Sequence, residues 1–184
     1  MKNLISKQLL SKVRNENLNE STKLILQAED KRKRNKYSFE VSVFLSHKHE
    51  EKEIIQQTIT LLSKLGINVY VDWLDNGMPR ITSGYTALRI KEKIRQNDKF
   101  ILLATESAIN SKWCNWELGY GDACKYHKNI AIMPITDKED NNFSGSEYLQ
   151  IYPVITSEYF YTTGTYYVEF NNNKIKLEDW LNQK

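Results

Sequence analysis

The sequence predicts a doubly wound α/β domain, in which helices cover both faces of a parallel sheet. Four short apolar runs recur after residue 40, and their starts lie 26, 33 and 30 residues apart: Val41–Leu45, Ile67–Val71, Phe100–Ala104 and Ile130–Ile135. Each interval has the length of a strand, a helix and two loops. Apolar residues at helical spacing fill the intervals, so strands and helices alternate. Alternating elements join through right-handed crossovers, which makes the strands parallel.

The length of 184 residues suits one domain with an extension or two very small domains, and a hydrophobic content of 40% is enough for a packed core. The net charge is +3, but residues 31–36 hold five of the basic side chains. Outside this block 21 basic residues stand against 23 acidic ones, so the domain itself is not basic. A short basic run between elements is typical of a solvated linker, and we expect no nucleic-acid partner.

Residues 1–36 are predicted to form an N-terminal helical extension to a domain that spans residues 37–184. Apolar residues recur at helical spacing in two groups: Ile5, Leu9 and Val13, then Leu24, Ile25 and Ala28. A polar stretch separates the groups, and Ser21 or Thr22 can cap the second helix. Neither helix is long enough to be stable alone, so we expect the pair to pack on the main domain or on a second copy.

Caps and periodicity predict the remaining elements. The first helix of the main domain runs over residues 54–65 and ends at Gly66, the residue that commonly follows a helix C-cap. The second helix is marked by Ala87, Leu88, Lys91 and Ile94. The third has Ser111 as its N-cap and covers residues 112–126. After a loop over residues 136–150 we predict two strands and a terminal helix: Tyr152–Thr156, Tyr166–Phe170 and Leu177–Leu181.

The two cysteines, Cys114 and Cys124, lie ten residues apart in the third helix. A helical rise of about 15 Å separates them, which is too far for a disulfide. No cluster of His and Cys has metal-ligand spacing, so we expect no metal site. The N-terminus lacks the apolar core of a signal peptide, and no run is long enough to cross a bilayer. These features predict a cytoplasmic protein with no membrane partner.

One carboxylate on the third helix is a candidate functional group. Glu117 shares a helix face with Trp113, four residues before it, and Tyr120, three residues after it. Ligands of doubly wound folds bind beyond the carboxyl ends of the strands. Three segments are predicted to meet there: Ser46–His49 after the first strand, Trp73–Arg80 after the second, and the start of this helix. Their convergence favours a functional Glu117 over the alternative, a solvent-exposed glutamate on an amphipathic helix.

These segments resemble a known family. The run Val43–His47, the Asp72-Trp73 loop with Met78-Pro79, and Ser111-Lys-Trp-Cys-Asn-Trp-Glu117-Leu-Gly-Tyr120 are similar to bacterial Toll/interleukin-1 receptor (TIR) domains. The resemblance covers about residues 38–156. It implies a flavodoxin-like doubly wound sheet of about five parallel strands, which agrees with the periodicity.

Two departures from the family pattern are visible. The chain has His47-Lys48-His49 where many members carry an aspartate soon after the serine. Met78-Pro79-Arg80 stands where animal-type domains have an Arg-Asp and a Pro-Gly. The bacterial enzymes of the family are therefore a better match than the adaptor class.

The resemblance implies an enzyme that cleaves NAD at the nicotinamide–ribose bond, with Glu117 as the catalytic glutamate. It also assigns Trp113 to shaping of the product, and the segment after the second strand to a BB loop that moves over the substrate and mediates TIR–TIR contacts. NAD+ is then the substrate, and no cofactor is expected. The expected substrate-binding residues are Phe44, Ser46, His47, Trp73, Arg80, Trp113 and Tyr120.

A single carboxylate suffices for this chemistry. Nicotinamide leaves NAD as a neutral base, so no general acid is needed, in contrast to two-carboxylate glycosidases. Glu117 would stabilise the oxocarbenium-like ribosyl cation, while Trp113 and Trp73 would stack on the substrate and exclude water. Candidate donors to the pyrophosphate are the backbone near Ser46 and the side chains of Lys48 and Arg80. No Gly-rich dinucleotide fingerprint is present, which argues against a dehydrogenase.

Four residues near Glu117 or in the converging segments are interpreted as structural rather than catalytic. Trp116 is expected in the core, because it lies three residues after Trp113. Asp72 is interpreted as a cap for its loop. His47 and His49 are interpreted as loop histidines, with a general base as the alternative role.

The sequence therefore predicts an NAD+ glycohydrolase or cyclase that makes an ADP-ribose-derived signalling nucleotide, expected to be cyclic. The resemblance implies antiphage defence of the Thoeris kind, in which the TIR domain self-associates and its product reaches a separate effector. Two alternatives stay open: a non-enzymatic TIR–TIR interaction module, including a virulence decoy of host signalling, and a nucleoside deoxyribosyltransferase-like enzyme. A response-regulator receiver is excluded, because Ala104-Thr105 stand where its phospho-acceptor aspartate is needed.

Overall fold

A computed structural model describes residues 4–12, 41–75, 77, 83–137, 146–160 and 163–183. In these ranges the strands are β1 Ile5–Ser6, β2 Ser42–Ser46, β3 Asn68–Tyr70, β4 Lys99–Ala104, β5 Ile130–Thr136, β6 Val154–Phe160, β7 Thr163–Phe170 and β8 Asn173–Lys176. The helices are α1 Lys7–Lys12, α2 Lys52–Lys64, α3 Gly84–Gln96, α4 Glu106–Ile109, α5 Lys112–Cys124 and α6 Leu177–Asn182. Three 3₁₀ turns cover Asp72–Leu74, His127–Asn129 and Glu147–Ile151.

The strands form one mixed sheet in the order β3-β2-β4-β5-β6-β7-β8. The neighbours from β3 to β6 pair in parallel, whereas β7 and β8 add antiparallel strands at one end. The parallel part has the order of a flavodoxin-like doubly wound fold, so the predicted fold class is confirmed. The sheet has eight described strands, more than the five expected, because a C-terminal hairpin and β1 extend it.

The core lies on both faces of the parallel strands, as the side-chain alternation of a strand requires. Val43 and Leu45 of β2 join a cluster beneath α1, α2 and α6. Phe44, between them in sequence, joins the opposite cluster beneath α3 and α5. Every residue of β2 and β4 is buried, which explains why these strands appear in the sequence as uninterrupted apolar runs.

Two predicted caps are present in the structure. Gly66 has a φ of +78° directly after the C-cap of α2, a conformation that glycine adopts without steric cost. The amides of Gly66 and Ile67 donate to the carbonyls of Ser63 and Leu62, so the helix ends in a Schellman motif. Ser111 is the N-cap of α5, since its hydroxyl accepts from the Cys114 amide at 3.4 Å.

The first predicted helix begins instead as a strand. Ile5 pairs with Ile135 in parallel, and α1 follows only at Lys7. Ile5, Leu9 and Leu10 then join the core cluster of the sheet. The second predicted helix of this region falls on residues 13–40, which lie outside the described ranges, and the division of the chain at residue 36 stays a prediction.

The C-terminal elements are longer than predicted. The strand predicted over residues 152–156 runs from Val154 to Phe160, and its partner begins at Thr163. Asn171 and Asn172 both have positive φ and turn the chain into β8, a strand that the sequence reasoning missed. Asparagine tolerates this backbone region, so the Asn-Asn pair between two strands was a usable hairpin signal. The predicted terminal helix is confirmed as α6, with Trp180 buried in the core.

No helix in the described part of the chain is long and apolar enough to cross a membrane. Both cysteines are free thiols, with Cys114 buried and Cys124 exposed.

Candidate active site

The site lies where the strand order changes direction, between β2 and β4. Ser46 is the last residue of β2, and α5 follows β4 through the short helix α4. Open α/β sheets hold their ligands at this carboxyl-terminal crevice. The segment after the first strand and the helix that carries Glu117 meet here, as predicted.

The N-cap and a glycine position Glu117. Ser111 starts α5 at the edge of the sheet, which places Glu117 in the second turn. Gly121 lies one turn further along the same face, and a Cβ atom there would be 3.1 Å from the ring of Phe100. Because Gly121 has no side chain, α5 lies close against β4 and brings Glu117 over the end of β2. The Glu117 side chain is directed inward, with only 7% of the residue exposed.

Ser46 holds the carboxyl group of Glu117. The Ser46 hydroxyl donates to Oε2 of Glu117 at 2.6 Å, and both groups are buried. Burial raises the pKa of Glu117 to about 8, because the charged form loses its hydration. The Ser46 hydrogen bond opposes this rise, while the carboxylate of Asp72 adds to it. Burial, Ser46 and Asp72 thus together set the pKa of Glu117 far from its ordinary value, and such shifted carboxyl groups are typical of functional sites.

Two histidines and an aspartate lie beside this pair. Nδ1 of His47 contacts the Leu45 carbonyl at 2.8 Å, and its Nε2 lies 3.5 Å from Oδ1 of Asp72. Nε2 of His49 lies 3.1 Å from Oδ2 of the same aspartate. Burial lowers the pKa of His47, whereas the Asp72 carboxylate raises the pKa of His49. Asp72 is thus more than a loop cap, because its carboxylate hydrogen-bonds His49 and lies beside His47.

The register of β2 and β3 explains why sequence reasoning missed this contact. Phe44 pairs with Tyr70, so two residues further along Ser46 is level with Asp72. The pairing joins segments that are 26 residues apart, and nothing in their local composition reveals it. Cys114 is a second missed contact, since its thiol donates to the His47 carbonyl at 3.3 Å and ties α5 to the same segment.

The aromatic residues divide between core and surface. Phe44 is 2% exposed and stacks between the rings of Tyr70 and Phe100, each at 5.6 Å, so it packs the sheet in this structure. Trp113 is 40% exposed on the outside of α5. The expectation that Trp116 lies in the core is wrong, because it is 37% exposed and meets Trp113 edge to face at 5.3 Å.

Tyr120 continues the aromatic row along α5. Its ring stacks on Trp116 at 6.3 Å, and the Lys91 ammonium lies 4.6 Å from its centre. The structure therefore brings Ser46, His47 and Glu117 together and places Trp113 and Tyr120 further out on the same helix. Arg80, with Met78 and Pro79, lies outside the described residues. Trp73 lies in the turn Asp72–Leu74, and only the backbone of Trp73 is described.

Fold and site together define a doubly wound α/β protein with a buried carboxylate at the switch point of its sheet. The sequence profile of the TIR domain matches residues 43–171, which includes β2 from Val43 onward, the elements up to β7, and every described residue of the site. The chain belongs to the TIR domain family.

Three relatives carry related names. The chain is 31% identical over 147 residues to a probable 3′ cyclic ADP-D-ribose synthase, ThsB′, from Bacillus cereus (strain MSX-D12), covering 77% of this chain and 75% of that protein. It is 30% identical over 81 residues to a protein from Cytobacillus dafuensis with the name "Putative cyclic ADP-D-ribose synthase TIR2". It is 28% identical over 113 residues to a probable 2′ cyclic ADP-D-ribose synthase, TcpO, from Methanobrevibacter olleyae.

The extent of these matches differs. The TIR2 match covers 42% of this chain but only 21% of that relative, and the TcpO match covers 58% and 31%. The chain thus spans less than a third of the length of these two proteins, and three quarters of ThsB′. Two of the names differ in the position of the new linkage, 3′ against 2′, so family membership leaves the isomer open.

Proposed function

We propose that this chain cleaves NAD+ at the nicotinamide–ribose bond and closes the remaining ADP-ribose into a cyclic nucleotide. The observation that carries the proposal is the buried Glu117, held by Ser46 at the carboxyl edge of the sheet. It is supported by three relatives whose names describe cyclic ADP-D-ribose synthases. The proposal has two parts: NAD+ is cleaved, and the ADP-ribose part is then closed to a ring rather than hydrolysed.

The bond between the ribose C1′ and the nicotinamide nitrogen breaks, and its electron pair leaves with nicotinamide. The leaving group becomes neutral as it departs, so no proton has to be supplied to it. Positive charge remains on the ribosyl C1′ and ring oxygen, and the Glu117 carboxylate stabilises it. A nucleophilic atom of the same molecule then bonds to C1′ and releases one proton, which balances the reaction as NAD+ giving nicotinamide, a cyclic product and H⁺.

The ionised form of Glu117 is the active one in this mechanism. In the free enzyme its pKa of about 8 leaves most molecules protonated at neutral pH. The Ser46 hydroxyl favours the charged form, because its hydrogen bond is stronger to a carboxylate than to a neutral acid. Bound NAD+ would favour it further, since the nicotinamide ring carries a positive charge.

Exclusion of water decides between a cyclic product and free ADP-ribose. Trp113, Trp116 and Tyr120 form a continuous aromatic row on α5, and Trp113 and Trp116 are more than a third exposed. We infer that a base of the substrate stacks on this row and shields C1′ from bulk water. Arg80 of the BB loop would supply positive charge for the pyrophosphate.

The product would serve as a signal for a separate effector in antiphage defence. The name ThsB′ of the Bacillus cereus relative supports a system of the Thoeris kind. TIR–TIR self-association is part of the same proposal, and the exposed aromatic row on α5 is a surface that such assembly could use.

The test is incubation of the purified full chain with NAD+, followed by chromatography and mass spectrometry. We expect nicotinamide and a second product that weighs one water less than ADP-ribose. Comparison with synthetic standards then assigns its linkage. If ADP-ribose is the only second product, the chain cleaves NAD+ but is not a cyclase. Turnover of nucleosides but not NAD+ would support the deoxyribosyltransferase alternative. No turnover in purified or phage-challenged samples would support the non-enzymatic interaction module.

Replacing Ser46→Ala is expected to move the pH dependence of NAD+ cleavage. The log of kcat/KM should rise with pH and level off near pH 8 in the parent chain, because this parameter reports the free enzyme. Without the hydroxyl the pKa of Glu117 rises, so the rising limb moves to higher pH and kcat/KM at pH 7 falls roughly tenfold. Ser63→Ala, on α2, is the matched control. If the rising part of the pH profile lies at the same pH in Ser46→Ala as in the parent chain, Ser46 does not influence the pKa of Glu117.

A further inference from the structure

We infer that His47, His49 and Asp72 form a binding site for a divalent transition-metal ion of the zinc class. The inference is independent of NAD+ cleavage, because it concerns three side chains whose metal-binding atoms converge. Their candidate ligand atoms all lie within 4.8 Å of one another. The sequence predicted no metal site, because only His and Cys at ligand spacing were considered, whereas the aspartate comes from the turn after β3.

Each histidine lies at about the spacing of tetrahedral ligands from one carboxylate oxygen of Asp72. Zinc–nitrogen and zinc–oxygen bonds of about 2.0–2.2 Å place neighbouring ligand atoms about 3.3 Å apart. Oδ1 of Asp72 is 3.5 Å from Nε2 of His47, and Oδ2 is 3.1 Å from Nε2 of His49. The two imidazole rings are 5.3 Å apart and tilted by 42°, so both can face one ion without stacking.

His47 is already in the form that binds a metal. Its Nδ1 donates to the Leu45 carbonyl at 2.8 Å, which fixes the proton on that nitrogen. Nε2 is then the nitrogen with the free lone pair, and metal-binding histidines are oriented in this same way by a carbonyl on the far nitrogen. In the described part of the chain this buried Nε2 has no hydrogen-bond partner.

A cation between His47 and Asp72 would remove the repulsion between two electron-rich atoms. The lone pair of His47 Nε2 faces a carboxylate oxygen of Asp72, so two electron-rich atoms approach each other inside the protein. An ion between them would bind both, with His49 as the third ligand. Two imidazoles with one carboxylate favour zinc, cobalt or nickel over magnesium or calcium, which prefer oxygen ligands. Three protein ligands leave a coordination position for water or for an anionic oxygen.

Isothermal titration calorimetry of the EDTA-treated full chain with zinc chloride tests the proposal, without NAD+ present. We expect one ion per chain, and at a hundredfold excess over Kd the Tm should rise by about 5–10 °C. His49→Ala is the main variant, since this side chain is more than half exposed and its removal leaves the core intact. We expect it to weaken zinc binding by roughly tenfold or more.

His127→Ala is the matched control, because His127 is the third histidine of the chain and stacks on Tyr152 away from the cluster. It should leave the affinity unchanged. Asp72→Asn is the second variant and should weaken binding as His49→Ala does. No measurable heat and no rise in Tm with the parent chain would overturn the proposal. Equal zinc affinity in the parent, His49→Ala and Asp72→Asn would also overturn it.

Discussion

Glu117→Gln is expected to reduce NAD+ cleavage at least about 1,000-fold. The substitution keeps the shape of the side chain and an oxygen that can accept the Ser46 hydrogen bond, but it removes the negative charge. Charge stabilisation of the ribosyl cation is the only catalytic task that the proposed mechanism gives to this residue, and such a term is worth several kcal/mol in a buried site. We expect nicotinamide release to be lost while the Kd for NAD+ changes by no more than a few fold.

Glu178→Gln is the matched control for this measurement. Glu178 is an exposed glutamate on α6, a helix that contributes no residue to the site. The variant should therefore cleave NAD+ at the parent rate. Full activity of Glu117→Gln would remove the carboxylate from the mechanism and with it the main support for the proposed function. A loss of NAD+ binding in parallel with activity would assign Glu117 to substrate binding instead.

The same Glu117→Gln substitution is expected to stabilise the fold at neutral pH. The pKa of Glu117 is about 8 in the folded chain, against an ordinary value of 4.5. Between these two values the unfolded chain releases a proton that the folded chain retains, so the free energy of unfolding falls as pH rises. The loss amounts to about 3 kcal/mol at pH 7 and to less than about 1 kcal/mol at pH 5. Glutamine has no such proton, so the variant avoids this loss.

Thermal unfolding at several pH values measures the effect. At pH 7 we expect the Tm of Glu117→Gln to exceed that of the parent by on the order of 5–10 °C. At pH 5 the two should nearly coincide, and Glu178→Gln should follow the parent throughout. Parallel curves for parent and Glu117→Gln would mean that Glu117 is ionised in the folded chain at neutral pH. A higher Tm of Glu117→Gln together with its loss of NAD+ cleavage would show that the buried carboxyl group lowers the stability of the fold while it supports activity.

The strands of the parallel sheet were predictable because their signals are local. A fully buried strand such as β4 must be apolar at every position, so its sequence reveals it without knowledge of its neighbours. Glu117 was predictable for a related reason. Its helix has a visible N-cap in Ser111, and the helix follows a buried strand, which together place the residue at the ligand-binding edge.

The elements that were missed depend on pairing partners. The two-residue strand β1 has no pattern of its own, and it is a strand only because the C-terminal end of β5, beyond its register with β4 and β6, pairs with Ile5 and Ser6. The cluster around Asp72 depends on the register between β2 and β3, which a single sequence does not reveal. Trp116 was misassigned because size and apolar character favour burial, whereas α5 directs this ring to its outer side.

The pairing of β1 with β5 has a consequence for synthesis on the ribosome. Ile5 emerges first, yet its partner Ile135 follows about 130 residues later. During that interval the apolar side chains of Ile5, Leu9 and Leu10 have no completed sheet to cover them. Contacts between such distant residues slow folding and leave apolar surface open to other nascent chains. Residues 5–10 are thus synthesised well before the strand that they pair with, and a chaperone would act on their exposed side chains in that interval.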